Sequence, residues 1–202
     1  MHISEGVLSA PVLLAGAAVA VAGVAMGLKR LPHERVPQTA ILSSAFFVAS
    51  LIHVPVGFTS AHLILNGLLG AVLGWAAFPA ILVALLLQAV LFQFGGLTVL
   101  GVNTATMALP AVACAWALRP LLLSQRNGRA ALGGFLCGSL SVFLSGILVA
   151  LALIGTGEAF QQAALAIFLA NLPVTVIEGL VTAATVVFLQ RVKPEILSSA
   201  LT

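Results

Sequence analysis

Met1-His2 opens the chain, and these two residues carry three nitrogen donors that one divalent cation can share. The α-amine and the His2 backbone nitrogen close a five-membered chelate ring, and the backbone nitrogen and His2 imidazole close a six-membered one. Nitrogen donors in a square plane suit nickel or copper. Many chains that bind no metal also begin Met-His, so the rest of the sequence must decide. Lys29-Arg30 follow the first apolar run, 11–28, whereas a secretory leader carries its bases ahead of that run. The amino terminus is therefore expected to be retained, with bulky His2 shielding Met1 from trimming.

Three further segments carry polar chemistry. In His53-Val-Pro-Val-Gly-Phe-Thr-Ser-Ala-His62, Pro55 and Gly57 break a helix and Thr59-Ser60 can cap the next one. His62 is then expected in the first turn of that next helix, either as a metal ligand or as an interfacial imidazole bonded to a backbone carbonyl. His53 and Ser60 are candidates to support the site. In Phe92-Gln-Phe-Gly-Gly-Leu-Thr-Val-Leu-Gly-Val-Asn103 the glycines allow close backbone approach. This segment reads either as an ordinary turn or as a loop dipping into the protein. In the second case Asn103 would supply an amide that orients a ligating imidazole. Glu178 is the one carboxylate inside an apolar run, and an intramembrane carboxylate flags function. It could hold an incoming cation, pair with a buried polar group, or sit neutral. Pro173 is expected to start its helix, which would leave Glu178 about one and a half turns from the end. Glu5 reads as a residue that orients the amino-terminal segment.

The elements that position these groups follow from composition. The chain of 202 residues is 61% hydrophobic and 6% charged, with a mean hydropathy of +1.22, against roughly 25% charged residues in a soluble domain. This is the composition of an all-α, polytopic membrane protein. Seven spans are expected: 9–28, 38–54, 62–78, 79–94, 104–122, 131–154 and 173–190, in a single transmembrane domain, 1–202. The stretch 157–172 either extends the preceding helix or lies at the membrane surface. The eight basic residues all fall in segments 29–35, 119–129 and 191–193. Those segments share one side, which the positive-inside rule makes cytoplasmic. The amino terminus is then outside, the carboxyl terminus is cytoplasmic, and His2, His53 and His62 share the outer face. His33 reads as a solvated loop residue, and Cys114 and Cys137 as inert core residues. The small net charge of +3 speaks for topology and not for nucleic acid.

These residues resemble a known family. Met1-His2-Ile3 with Glu5-Gly6, Gly57-Phe58-Thr59-Ser60-Ala61-His62-Leu63, and Gly95-Gly96-Leu97-Thr98 with Leu100-Gly101-Val102-Asn103 and Met107 are similar to the CbiM/NikM family. That family comprises the substrate-specific membrane components of nickel and cobalt energy-coupling-factor transporters. The resemblance runs from Met1 to Glu178-Gly179. It implies a bundle like that of other substrate components with an extra amino-terminal helix, and no resident cofactor. It also implies a Ni²⁺ or Co²⁺ cargo held by Met1, His2 and His62, the last adding a fourth nitrogen. The implied partners are a transmembrane coupling subunit, two cytoplasmic ATPases and a small membrane subunit, in the plasma membrane of a prokaryote. The chain itself lacks the G-x-x-x-x-G-K-[ST] phosphate loop of an ATPase. Ala45 and Ala49 match the small-residue spacing used for helix docking. Phe58 and Ala61 stand where the cobalt branch favours glycines, and Phe94 where it favours Asp, so the choice of nickel or cobalt stays open.

Two other classes are weaker. A carrier for an organic vitamin would need aromatic and polar contacts to its ligand, and the outer face offers few aromatics beyond Phe58 and Phe94. An intramembrane hydrolase built on Ser145 would need a base nearby, and no histidine shares its region of the sequence.

Overall fold

The computed structural model describes residues 3–51, 53–56, 59–157 and 161–201, with the backbone alone at 53–56, 59–62, 161, 163–164, 166–168, 170 and 201. In hydrocarbon, backbone N–H and C=O groups must pair within their own segment, so long apolar runs become helices. The order is α1 (Ala10–Lys29), α2 (Val36–Leu51), β1 (His53–Val56), β2 (Thr59–His62), α3 (Asn66–Leu73), α4 (Ala77–Phe92), α5 (Leu100–Ala117), α6 (Arg119–Leu122), α7 (Asn127–Ile154), α8 (Gln161–Val192) and α9 (Pro194–Leu201). Among the described residues, five segments are long and apolar enough to cross a membrane: Ala10–Lys29, Asn66–Phe92, Leu100–Ala117, Asn127–Ile154 and Asn171–Val192. Seven comparable spans were expected. α2, with 16 residues, and α3, with 8, fall short of that length.

The segment Asn66–Phe92 is two arms. A turn of 3₁₀ helix, Gly74–Ala76, separates α3 from α4, and Gly74 sits at φ 56°, a conformation glycine adopts without a Cβ clash. The last turn of α3 and the first of α4 both lie at the basic end, because Arg35 donates to the Val72 carbonyl and Arg30 lies over the Trp75 ring. Their other ends diverge: Asn66 bonds to α5 and α7, while Phe92 packs on Phe47 of α2. The reversal was expected at Phe78-Pro79. It comes four residues earlier because Gly74 supplies the positive φ, and Pro79 sits harmlessly in the first turn of α4.

Two other boundaries move. α8 runs through Pro173 without a break, which absorbs 161–172 into one helix of 32 residues and puts Glu178 near its middle. The expected long loop up to Asn103 ends at Val99, so Gly101 and Asn103 belong to the first turn of α5. The short helix α9 follows α8 and packs against the end of α3.

The core is built by close backbone approach. α7 and α8 make the most extensive helix pair. Gly67 of α3 presses on Gly138 of α7, where an added Cβ would lie 2.6 Å from the Gly138 Cα. Gly138 also faces the Glu178 carbonyl and the Thr182 hydroxyl of α8. Three helices therefore meet at one small residue. Replacing it should destabilise by overpacking, about 1–3 kcal/mol. Gly138→Val should lower the thermal midpoint of the detergent-solubilised protein. Gly128→Ala, at a position with no neighbour within 4 Å, should leave it unchanged.

Candidate metal centre

The amino-terminal segment is built into the bundle. Ile3 and Leu8 are buried with Val99, Val102, Val149 and Leu153, joining α5 and α7 to the start of the chain. Inside that apolar contact, the Asn103 carboxamide grips the backbone of Ile3 at both ends. Its Oδ1 accepts from the Ile3 N–H at 3.0 Å, and its Nδ2 donates to the Ile3 carbonyl at 3.1 Å. Glu5 adds a second tether: its N–H donates to the Gly95 carbonyl at 3.0 Å, and its Oε1 accepts from the Thr98 N–H at 3.1 Å. Gly96 is needed beside it, because φ is 154° and an added Cβ would meet the Glu5 side chain. Glu5 thus orients this segment, as its place in the sequence suggests. Met1 and His2 lie outside the described residues, immediately ahead of the Asn103 grip.

The second histidine segment arrives from α2. Its backbone forms an antiparallel ribbon in which His53 pairs with His62, Val54 with Ala61, Pro55 with Ser60 and Val56 with Thr59. His62 is therefore in a strand, and α3 starts four residues later at Asn66. Helix capping by Thr59-Ser60 was expected. Val54, Val56 and Thr59 are β-branched and Pro55 biases its predecessor towards extended backbone, so the ribbon is the locally consistent outcome. Its register sets His53 directly opposite His62.

Glu178 fixes the exit from this ribbon. Its carboxylate accepts the Ile64 N–H, and the Leu65 N–H reaches both its oxygens, Oε1 at 2.8 Å and Oε2 at 3.0 Å. These donors stand just ahead of α3, where helix-start N–H groups lack intrahelical partners. Leu65 is held there at φ 55°. Hydrogen bonds to an ionised group are worth about 1.5–3 kcal/mol each. Of the roles open to Glu178, the structure displays pairing with buried polar groups.

α5 brings the two histidine segments together. Asn103 holds Ile3, and one turn along the same helix the Met107 carbonyl accepts Asn66 Nδ2 at 3.1 Å. Asn66 also donates to Ser145 Oγ at 2.9 Å, and its Oδ1 accepts from the Gly67 N–H. Four residues of helix span about 6 Å. The chain directly after His2, at Ile3, and four residues after His62, at Asn66, is thus anchored within one turn of a single helix.

Asn103 orients the backbone of Ile3; the imidazoles expected as its partners lie outside the described side chains. Ala49 is buried and Ala45 exposed, so this pair does not present a common outer face. Cys114 and Cys137 are buried free thiols. Ser145 serves as an acceptor for Asn66. Among the described residues no three His, Cys, Asp or Glu side chains gather into a metal-binding cluster. Asn66 was not singled out from sequence, although a carboxamide in the apolar run 62–78 was a visible signal, since buried amides need partners.

Comparison with known proteins places this architecture. The sequence pattern described as "Cobalt uptake substrate-specific transmembrane region", the CbiM family, matches residues 2–196. A putative metal transport protein of Haemophilus influenzae is 44% identical over 200 residues, covering 98% of this chain and 97% of the relative. A fused nickel transport protein, NikMN, of Rhodobacter capsulatus is 37% identical over 123 residues, 57% of this chain and 35% of that longer protein. A crystal structure of a transition metal transporter superposes with a TM-score of 0.75 at 29% identity, covering 95% of this chain and 93% of that one.

The Asn103 grip has a direct test. Two neutral hydrogen bonds contribute about 1–3 kcal/mol, so Asn103→Ala should speed amide exchange across residues 3–8 roughly tenfold or more. Exchange in α8 should stay unchanged in the same experiment.

Proposed function

The chain belongs to the CbiM/NikM family of cobalt and nickel transport components, and from that premise we propose that it captures one Ni²⁺ or Co²⁺ ion between its first two residues and His62. The ligands in this reading are the Met1 amine, the His2 backbone nitrogen, the His2 imidazole and the His62 imidazole. The observation that carries it is the convergence on α5: Asn103 holds the residue after His2, and Met107 holds Asn66, four residues after His62. Glu178 supports the same reading by fixing the backbone two and three residues after His62. His53 stands opposite His62 in the ribbon register, as a spare nitrogen donor or a partner for the ligating ring. Ser60 lies in the same strand and closes over the site with the ribbon.

Binding takes place outside the cell in this reading, because the basic ends of the helices face the cytoplasm and the anchored amino terminus is at the other end. Four nitrogens in a square plane favour Ni²⁺, whereas Co²⁺ would accept the site with added oxygen donors. ATP hydrolysis belongs to partners: a transmembrane coupling subunit and two cytoplasmic ATPases, with a small membrane subunit, in a prokaryotic plasma membrane. α2 offers them the exposed residues Ala45 and Ile41.

Isothermal titration with Ni²⁺ on the full chain tests the ligand set. One glycine added before Met1 moves the amine out of chelating distance and should weaken binding by at least a hundredfold, as should His62→Ala. Affinity should also fall with acidity, because protons compete for the amine and imidazole nitrogens. Undiminished affinity in the extended chain would overturn the amino-terminal chelate.

A further inference from the structure

At the basic end, away from the metal centre, a cavity of about 340 Å³ lies between Arg30, Arg35, Leu73, Trp75, Ser199 and Ala200. Arg35 donates to the Ser199 carbonyl at 2.8 Å and to the Val72 carbonyl at 3.0 Å, so it closes the ends of α9 and α3. Both acceptors are neutral, and its Nε is buried without a partner. Arg30 lies over the Trp75 ring, 5.6 Å from its centroid. Among the described residues no carboxylate pairs with either guanidinium. Burial lowers the Arg35 pKa below its ordinary value, a sign of incomplete solvation, while a guanidinium keeps its charge in proteins. Two guanidiniums with no carboxylate partner among the described residues suit a phosphate, which accepts the N–H donors that the Arg35 backbone contacts leave over.

A second cavity of about 320 Å³ adjoins these walls, between α2 and α4. Its lining begins at Leu31 and Val36, which directly follow Arg30 and Arg35, and continues past Pro79 to Phe47 and Leu87. The hydroxyls along it are already used on backbone carbonyls: Thr39 on Arg35, Ser43 on Ala80 and Ser44 on Ala40. The groove therefore offers hydrocarbon surface. A phosphate pocket with uncompensated positive charge, next to an apolar groove on a membrane-facing helix pair, matches one kind of molecule. The geometry points to a bound anionic phospholipid of the basic, cytoplasmic-side leaflet, with its phosphate between Arg30 and Arg35 and an acyl chain along α2 and α4. Trp75 suits the headgroup level, where tryptophan collects in membrane proteins. Such a lipid would fasten α9 and the α3–α4 turn to the membrane surface.

Native mass spectrometry of the full chain in detergent tests this with phosphatidylglycerol, phosphatidylcholine and inorganic phosphate as probes. One phosphatidylglycerol should be retained per chain and phosphatidylcholine clearly less. A basic residue near an anionic surface is worth about fivefold in affinity, so Arg30→Gln should cut retention by about that factor while leaving the Arg35 helix contacts intact. Arg35→Lys, which keeps the charge but loses the fork, should also weaken retention, and Arg126→Gln, on the exposed loop before α7, should not. Equal retention of the two lipids, or wild-type retention in a chain carrying both Arg30→Gln and Arg35→Lys, would overturn the proposal. Phosphatidylglycerol displaced by inorganic phosphate alone would reassign the cavity to a free anion, and no retained lipid with capture of a polyglutamate peptide would reassign it to a protein partner.

Discussion

A carboxylate buried in a membrane bundle has no water to solvate it, so it must be supplied with hydrogen-bond donors. Glu178, fully buried near the middle of α8, takes the N–H groups of Ile64 and Leu65. This one interaction sets much of the architecture. It requires α8 to approach α3 closely, which the contacts of Gly138 with Gly67 and with the Glu178 backbone permit. It also requires the chain before α3 to leave helical geometry so that those N–H groups are unclaimed, and the ribbon His53–His62 is the result. Removing the carboxylate would leave two donors unpaired in hydrocarbon, at about 1–3 kcal/mol for each. The course of the backbone directly after His62 therefore depends on Glu178.

The other half of the centre depends on Asn103. A carboxamide bonded to both the N–H and the C=O of Ile3 mimics a strand pairing, and it does so inside an apolar contact of Ile3 and Leu8 with α5 and α7. The low dielectric strengthens these bonds and makes an unpaired alternative costly. A segment that would otherwise be a loose terminus is thereby pinned at a defined depth. With Asn66 held one turn further along α5, a single rigid helix sets the spacing between two segments that are 60 residues apart in sequence. For the chelate proposed here from two distant segments, that common reference would replace the preorganisation a single helix gives.

Much of this was legible in the sequence, for reasons that are physical. Apolar runs of about 20 residues have few options in lipid, so the membrane class and most helices followed from composition. The oddity of Glu178 is visible because a carboxylate in an apolar run is a local property of the sequence, and the structure finds that carboxylate buried. What stayed hidden depended on tertiary partners. The β-branched residues favour the ribbon at 53–62 locally, while its exit into α3 depends on the distant Glu178 taking the Ile64 and Leu65 N–H groups. Pro173 was read as a helix start, yet α8 continues through it, as membrane helices with packed neighbours can. The bonds of Asn103 to the Ile3 backbone join residues 100 apart in sequence, and the part played by Asn66 needs Met107 and Ser145 beside it.

The central claim is that one divalent cation is held by nitrogens from the first two residues and His62, with Glu178 left on the backbone. X-ray absorption at the nickel edge of the Ni²⁺-loaded full chain, with its native amino terminus, addresses it most directly. The account predicts four nitrogen neighbours in a plane, multiple-scattering features of two imidazoles, and a pre-edge characteristic of square-planar geometry. Six-fold coordination dominated by oxygen, or a sulfur neighbour, would contradict it.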